Sequence, residues 1–173
     1  MAPEFGIAVT RRPRRVGLVG CVKEKAPSRQ PARDLYTSTL FEGRRRYVES
    51  TCDAWWILSA EHGLVDPSEW LDPYDTALKT ATRAYRRRWA SMVLASIDAR
   101  AGLIASDVVE IHAGAEYRDF GLADGLSRRG LDVVNPTEGM PIGLQLSFYK
   151  HHRSEEHTSE LQSPCNLVCR LLL

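Results

Sequence analysis

Several features that would fix a protein's class at once are missing from this chain. No stretch approaches the ~20 consecutive apolar residues that a membrane-crossing helix requires. Met1 to Thr10 lacks the basic-then-apolar design of a secretory signal. Cysteines number four, and Cys21 and Cys52 stand too far from any partner to suggest a disulfide framework. Neither H-E-x-x-H nor C-x-x-C occurs, so no metal or other cofactor is expected. Gly20-Cys21-Val22-Lys23 lacks the glycine spacing and the Lys-Ser/Thr pair of a phosphate-cradling loop. Residues 16–152 contain no internal repeat and no low-complexity block. These absences leave a cytoplasmic protein with reduced thiols and no membrane association as the expectation.

The last 21 residues, RSEEHTSELQSPCNLVCRLLL, resemble the translation of a sequencing-adapter oligonucleotide. Residues 153–173 are therefore expected to be a non-native tail, with the natural carboxyl terminus missing, and are set aside. Lys+Arg then falls from 23 to 21 and Asp+Glu from 22 to 19, a net charge of +2. Cys165 and Cys169 leave with the tail. About 135 residues remain once both ends are trimmed, the size of one domain with a single core.

Basic residues cluster. Arg11, Arg12, Arg14 and Arg15 close a stretch, residues 1–15, that reads as a disordered basic arm. Arg44 to Arg46 and Arg86 to Arg88 are triplets inside helices. Such runs read either as phosphate footprints or as solvated helix faces.

Residues 16–152 read as one α/β domain. RVGLVGCV (residues 15–22), AWWILS (54–59), DVVEIH (107–112) and LDVVN (131–135) are short β-branched and apolar runs bounded by turn residues, hence strands. Helices are expected over about 38–50, 80–101 and 122–129, and from Gly143 onward. In the longest, Ala81, Tyr85, Trp89, Met92, Val93, Ser96 and Ile97 share one face. The alternation predicts three layers, with a mainly parallel sheet of four or five strands and helices packed on it. Right-handed crossovers bring the strand ends to one edge, where open α/β sheets bind ligands. That edge would collect Cys21 and Lys23, Ser59 to Gly63, His112 to Glu116, and Asn135 to Gly139.

Trp55 to Leu78, WWILSAEHGLVDPSEWLDPYDTAL, is the most informative stretch, because one strand-loop supplies an imidazole, carboxylates and a phenol. The pattern I-L-S-A-x-H-G-L-x-x-P followed by P-Y-D resembles an uncharacterised family of small bacterial and phage domains. The likeness extends to VGCVKEK, ARDLYTSTLF and PTEGMPIGLQLSFYK, covering most of Arg15 to Lys150. SAEHGLVDP is also similar to the central motif of the YaaA-like peroxide-stress proteins, which are associated with DNA. A further likeness is to α/β domains of the uracil-DNA-glycosylase type, found in some tRNA-modification enzymes, although no residue motif of those glycosylases is matched.

Residue by residue, each candidate carries a functional and a structural reading. His62 titrates near neutrality and suits proton transfer; it can equally tie the loop to a carbonyl. Asp75 can act as a base or orient His62, or it can cap the following helix. Glu116 is the other acid/base candidate. Tyr74 and Tyr117 can wall a base or fill the core. Lys23 and Lys25 follow the first strand, where a lysine can hold a phosphate or carboxylate. Ser59, Gly63, His112, Gly114 and Arg118 complete the expected binding edge, with a surface ion pair the alternative for Arg118. Cys21 reads as an inert buried thiol.

Together these point to an enzyme acting on a nucleobase, nucleoside or nucleic acid, by N-glycosidic bond cleavage or base exchange. His62, Asp75 and Glu116 would be catalytic. The alternative is a non-catalytic nucleic-acid-binding or oxidative-stress-response module using the arginines.

Overall fold

The computed structural model describes residues 11–160, with side chains through His152. It begins with β1 (Arg15–Gly20), the two-residue β2 (Gln30–Pro31), the one-turn α1 (Ala32–Leu35) and α2 (Thr39–Thr51). β3 (Ala54–Ser59) turns into β4 (Gly63–Val65), followed by β5 (Trp70–Leu71), a 3-10 turn at Leu78–Thr80 and α3 (Arg83–Arg100). β6 (Val108–His112), α4 (Ala115–Arg118), α5 (Leu122–Ser127), β7 (Asp132–Val134) and α6 (Ile142–Glu160) follow. Residues 161–173 of the expected tail lie outside the described residues, as do its side chains.

The main sheet has the order β4-β3-β1-β6-β7, parallel throughout except for the β3–β4 hairpin. β1 is central because its residues are apolar on both faces, and Val16, Leu18 and Val19 are buried. Its register runs from Val16 opposite Ala54 to Gly20 opposite Leu58, and from Arg15 opposite Val108 to Val19 opposite His112. One face is covered by α2 and α6, the other by α3 and α5. This is a three-layer α/β domain with a mainly parallel five-stranded sheet.

Gly17 is the point of closest approach to α2: a Cβ there would stand 2.6 Å from Val48 Cγ1. Ser38 caps α2 by accepting from the Phe41 amide at 3.2 Å. Thr82 caps α3 in the same way through Tyr85. Asp75 therefore does not cap the long helix, because the chain makes a 3-10 turn first.

Three local readings change. β4 falls in what reads as loop, since three residues are too short to show alternation. The His-Ala-Gly-Ala-Glu-Tyr-Arg stretch holds a helical turn, α4, rather than a plain loop. Of the predicted α3 face, Trp89, Val93 and Ile97 are buried but Tyr85 and Met92 are exposed.

The described part of the basic arm is anchored at the amino edge of the sheet. Arg11 Nη1 donates to Asp107 Oδ1 at 2.7 Å, and the Arg14 amide donates to the same oxygen at 2.8 Å. Arg12 pairs with Asp53, which also accepts from the Arg15 amide at 2.8 Å. Residues 1–10 lie outside the described residues. No described helix is long and apolar enough to cross a membrane.

Candidate functional site

The order β4-β3-β1-β6-β7 has a topological switch. From β1 the chain moves to β3 on one side, then returns to β6 on the other. In open α/β sheets the crevice outside the carboxyl ends of such a strand pair is the usual ligand site. Here β1 and β6 end close together: a Cβ on Gly20 would stand 2.7 Å from Ala113 Cβ.

At the β1–β3 end, Cys21 is held by three groups. Its amide donates to Leu58 O at 2.9 Å. Its sulfur accepts from the Ala60 amide at 3.3 Å and shares a hydrogen bond with Tyr117 Oη at 3.0 Å. Beside it, Tyr74 Oη shares hydrogen bonds with Ser59 Oγ and Tyr36 Oη, both at 2.8 Å. Ser59 Oγ also accepts from the His62 amide at 3.0 Å, which fixes the turn after β3. Trp89 Nε1 donates to Ser59 O at 2.8 Å and locks this strand end to α3. Burial pushes the Tyr36, Tyr74 and Tyr117 phenols above the ordinary tyrosine range, so these hydroxyls are protonated donors.

The outer rim is charged. The His62 ring is exposed and stands edge-on to Tyr74, ring centres 5.2 Å apart. Lys25 Nζ lies 4.2 Å from the Tyr74 ring centre and donates to Val22 O at 3.1 Å. Burial pulls the Lys25 ammonium below its ordinary pKa, while charge on Cys21 and Asp75 opposes that shift. Asp75 is exposed and close enough to Lys25 to act on it. Glu61, also exposed, accepts from Thr76 Oγ1 and ties the two ends of the loop together. Gly63 has φ +71°, which allows the sharp return into β4.

At the β6 end, His112 is fully buried. Its Nδ1 shares a hydrogen bond with Tyr149 Oη at 2.8 Å and its Nε2 one with Glu110 Oε2 at 3.2 Å. Arg15 Nη1 completes the network at 3.0 Å from Glu110 Oε1. Burial holds the imidazole below its ordinary pKa, with Glu110 opposing. Glu116 folds back over Gly114 so closely that a Cβ there would collide with its carboxylate. Arg118 pairs with Glu138 at 3.1 Å.

The sequence candidates thus share one edge but not one contact cluster. His62, Tyr74, Asp75 and Ser59 are neighbours at the end of β3; Glu116, Gly114 and Tyr117 lie across Cys21, at the end of β6. His112 belongs to a closed internal network rather than to the binding rim. Tyr117 packs edge-on to Trp89 with its hydroxyl on Cys21, and the Lys25 ammonium lies over the Tyr74 ring. Neither therefore offers a bare wall for stacking; the exposed aromatic here is Tyr85, whose hydroxyl donates to Ala60 O at 3.4 Å. Lys23 is exposed, and its side chain makes no hydrogen bond among the described residues. No group of three His, Cys, Asp or Glu side chains arranged to hold a metal occurs among the described residues.

Tyr36 and the burial of Arg44 escaped the sequence reading. Arg44 carried a usable signal: Phe41, Arg44, Tyr47 and Val48 recur at helical spacing, so the first arginine of the triplet lies on the buried face of α2.

These features define a mainly parallel α/β domain with a polar, phenol-rich cluster at the carboxyl edge of its sheet. Residues 16–151 match DUF6884, a family of unknown function, and the chain belongs to that family. No curated protein and no solved structure matches the chain.

Proposed function

We propose that the protein is an enzyme acting on a nucleobase, nucleoside or nucleic acid, cleaving or exchanging an N-glycosidic bond at the carboxyl edge of the sheet. The observation that carries this reading is the continuous polar seam from His62 through Tyr74, Lys25 and Cys21 to Tyr117 and Glu116. It places an exposed imidazole and an exposed carboxylate beside the same phenol, next to the switch between β1 and β6.

The chemistry suits these groups. Asp75 takes a proton from water, whose oxygen bonds to the anomeric carbon. The carbon–nitrogen bond breaks, and His62 gives its proton to the departing base. The Lys25 ammonium lies close enough to Asp75 for the two charges to interact. Glu116 is the carboxylate on the opposite wall and is available to the sugar. The fixed, protonated hydroxyls of Tyr74 and Tyr36 shape the floor.

The arginines give the binding-module alternative less support. Arg45 pairs with Asp34 and Glu49, Arg46 with Glu42, and Arg86 is spent on the carbonyls of Leu78 and Lys79.

The test is chromatographic detection of free base after incubation with nucleosides, nucleotides and single-stranded oligonucleotides. His62→Ala and Asp75→Asn should each lower the rate by roughly 10²–10⁴-fold. Neither should change the melting temperature, because both side chains are exposed. Absence of base release from every substrate class, or release that survives both substitutions, overturns the proposal.

A further inference from the structure

Arg44 is the one cationic side chain buried among the described residues, with 6% of its surface exposed. It projects from α2 toward the end of β6. Arg44 Nη2 donates to Gln145 Oε1 at 3.0 Å, and the Tyr149 hydroxyl stands close enough to favour its charge. Arg44 Nε is buried and has no hydrogen-bond partner among the described residues. No described carboxylate lies within ion-pair distance of it. Glu116 acts on it only from farther off, its carboxylate folded back over Gly114.

A buried guanidinium without an anion is a costly arrangement, since desolvation is not repaid by a close opposite charge. Arg14 Nε also lacks a partner, but that side chain is only half-buried and sits at the amino edge, among Asp53 and Asp107. Arg44 instead lies near the end of β6, close enough to His112, Glu116 and Tyr117 for their charges to interact, beside the strand pair at whose carboxyl ends this topology receives ligands. Its planar fork suits two oxygens of one phosphate. Gln145 holds the fork in orientation through its own amide, which donates onward to Met140 O at 2.8 Å.

We infer that Arg44 is an anion anchor that binds a phosphate group at the switch between β1 and β6, with Gln145 as its positioning residue. Joined to the enzymatic reading above, on which this extension rests, it makes the substrate a nucleotide or a nucleic-acid end rather than a free nucleoside.

The experiment is thermal unfolding of the full chain with inorganic phosphate, a nucleoside 5′-monophosphate and the parent nucleoside, all at constant ionic strength. At about 100 times Kd, phosphate and the monophosphate should raise the midpoint by roughly 5–10 °C. The nucleoside should do less. Arg44→Met should abolish the phosphate-dependent shift. Arg44→Lys, which keeps the charge but not the fork, should reduce it and serves if the methionine variant does not fold. Phosphorus NMR of the monophosphate should show line broadening with the native chain, less with Arg44→Lys and none with Arg44→Met. A native midpoint indifferent to both phosphates, or an equal shift in the variants, overturns the inference. Base release with no phosphate effect would sink the anchor and leave the enzymatic reading standing. A phosphate effect without base release would do the reverse.

Discussion

Tyr74 shows how much a single side chain carries here. Its hydroxyl joins Ser59 and Tyr36, its ring lies under Lys25, and its edge meets His62. Tyr74→Phe removes one oxygen and leaves two buried hydroxyls short of a partner. The expected cost is about 1–3 kcal/mol in denaturant unfolding. A phenylalanine variant as stable as the native chain would show that the phenol seam does not hold the end of β3. His62 is the contrasting case, its side chain exposed and set edge-on to one ring, so its removal should register in the proposed base release and not in stability. The sequence made His62, Tyr74 and Asp75 visible because they crowd one loop. It offered Lys25 only as one of two lysines after β1 and hid Tyr36; both reach the same place, from the loop after β1 and the end of α1, and nothing local marks that approach.

Among the elements, the β3–β4 hairpin and the capped helix α2 hold the site in place. Gly63 returns the chain with a positive φ, and a side chain there would also meet Met92 Cε at 3.0 Å. Gly63→Ala should cost about 1–2 kcal/mol from the left-handed backbone alone. A fall in activity larger than the stability loss explains would show that the turn positions His62. Ser38→Ala, which deletes the cap of α2, should cost about 1 kcal/mol and be readable in the urea midpoint. A midpoint unchanged by that substitution would place the start of α2 under tertiary rather than capping control. β1, β3 and α2 were legible as elements because apolar runs, β-branching and a serine cap agree at each. β4 and α4 were not, because three or four residues carry no period.

For the molecule as a whole, acid sensitivity divides between the two edges of the sheet. At the amino edge, hydrogen bonds from Arg11, Arg14 and Ile104 hold the Asp107 carboxyl below the ordinary aspartate range. Its contribution is present above about pH 3.9 and is lost as pH falls further. At the carboxyl edge, burial holds the His112 imidazole below its ordinary pKa in the folded chain, with Glu110 opposing. The unfolded chain takes up that proton near pH 6.5, so stability falls as pH drops through about 6.5. His112→Gln should flatten the stability profile just below about pH 6.5 while leaving the loss below about pH 3.9 that Asp107 contributes. An unaltered slope just below about pH 6.5 would show that another group titrates there. His112 reads from sequence as part of the ligand rim, since it ends a strand. The tertiary structure buries it because Tyr149, from a helix 37 residues later, closes over it.

The amino-acid sequence by itself determined the class of fold and the edge at which to look. Runs of Val, Ile, Leu and Trp ending in Gly, Ser and His can be buried only as central strands whose polar ends emerge together. Which of those polar residues face a ligand was decided in three dimensions. α2 buries Arg44, α6 covers His112, and the loop after β1 lays Lys25 across Tyr74, and each of these depends on contacts between segments far apart in the chain. Burial and unmet charge are properties of packing, and no local pattern of residues encodes them.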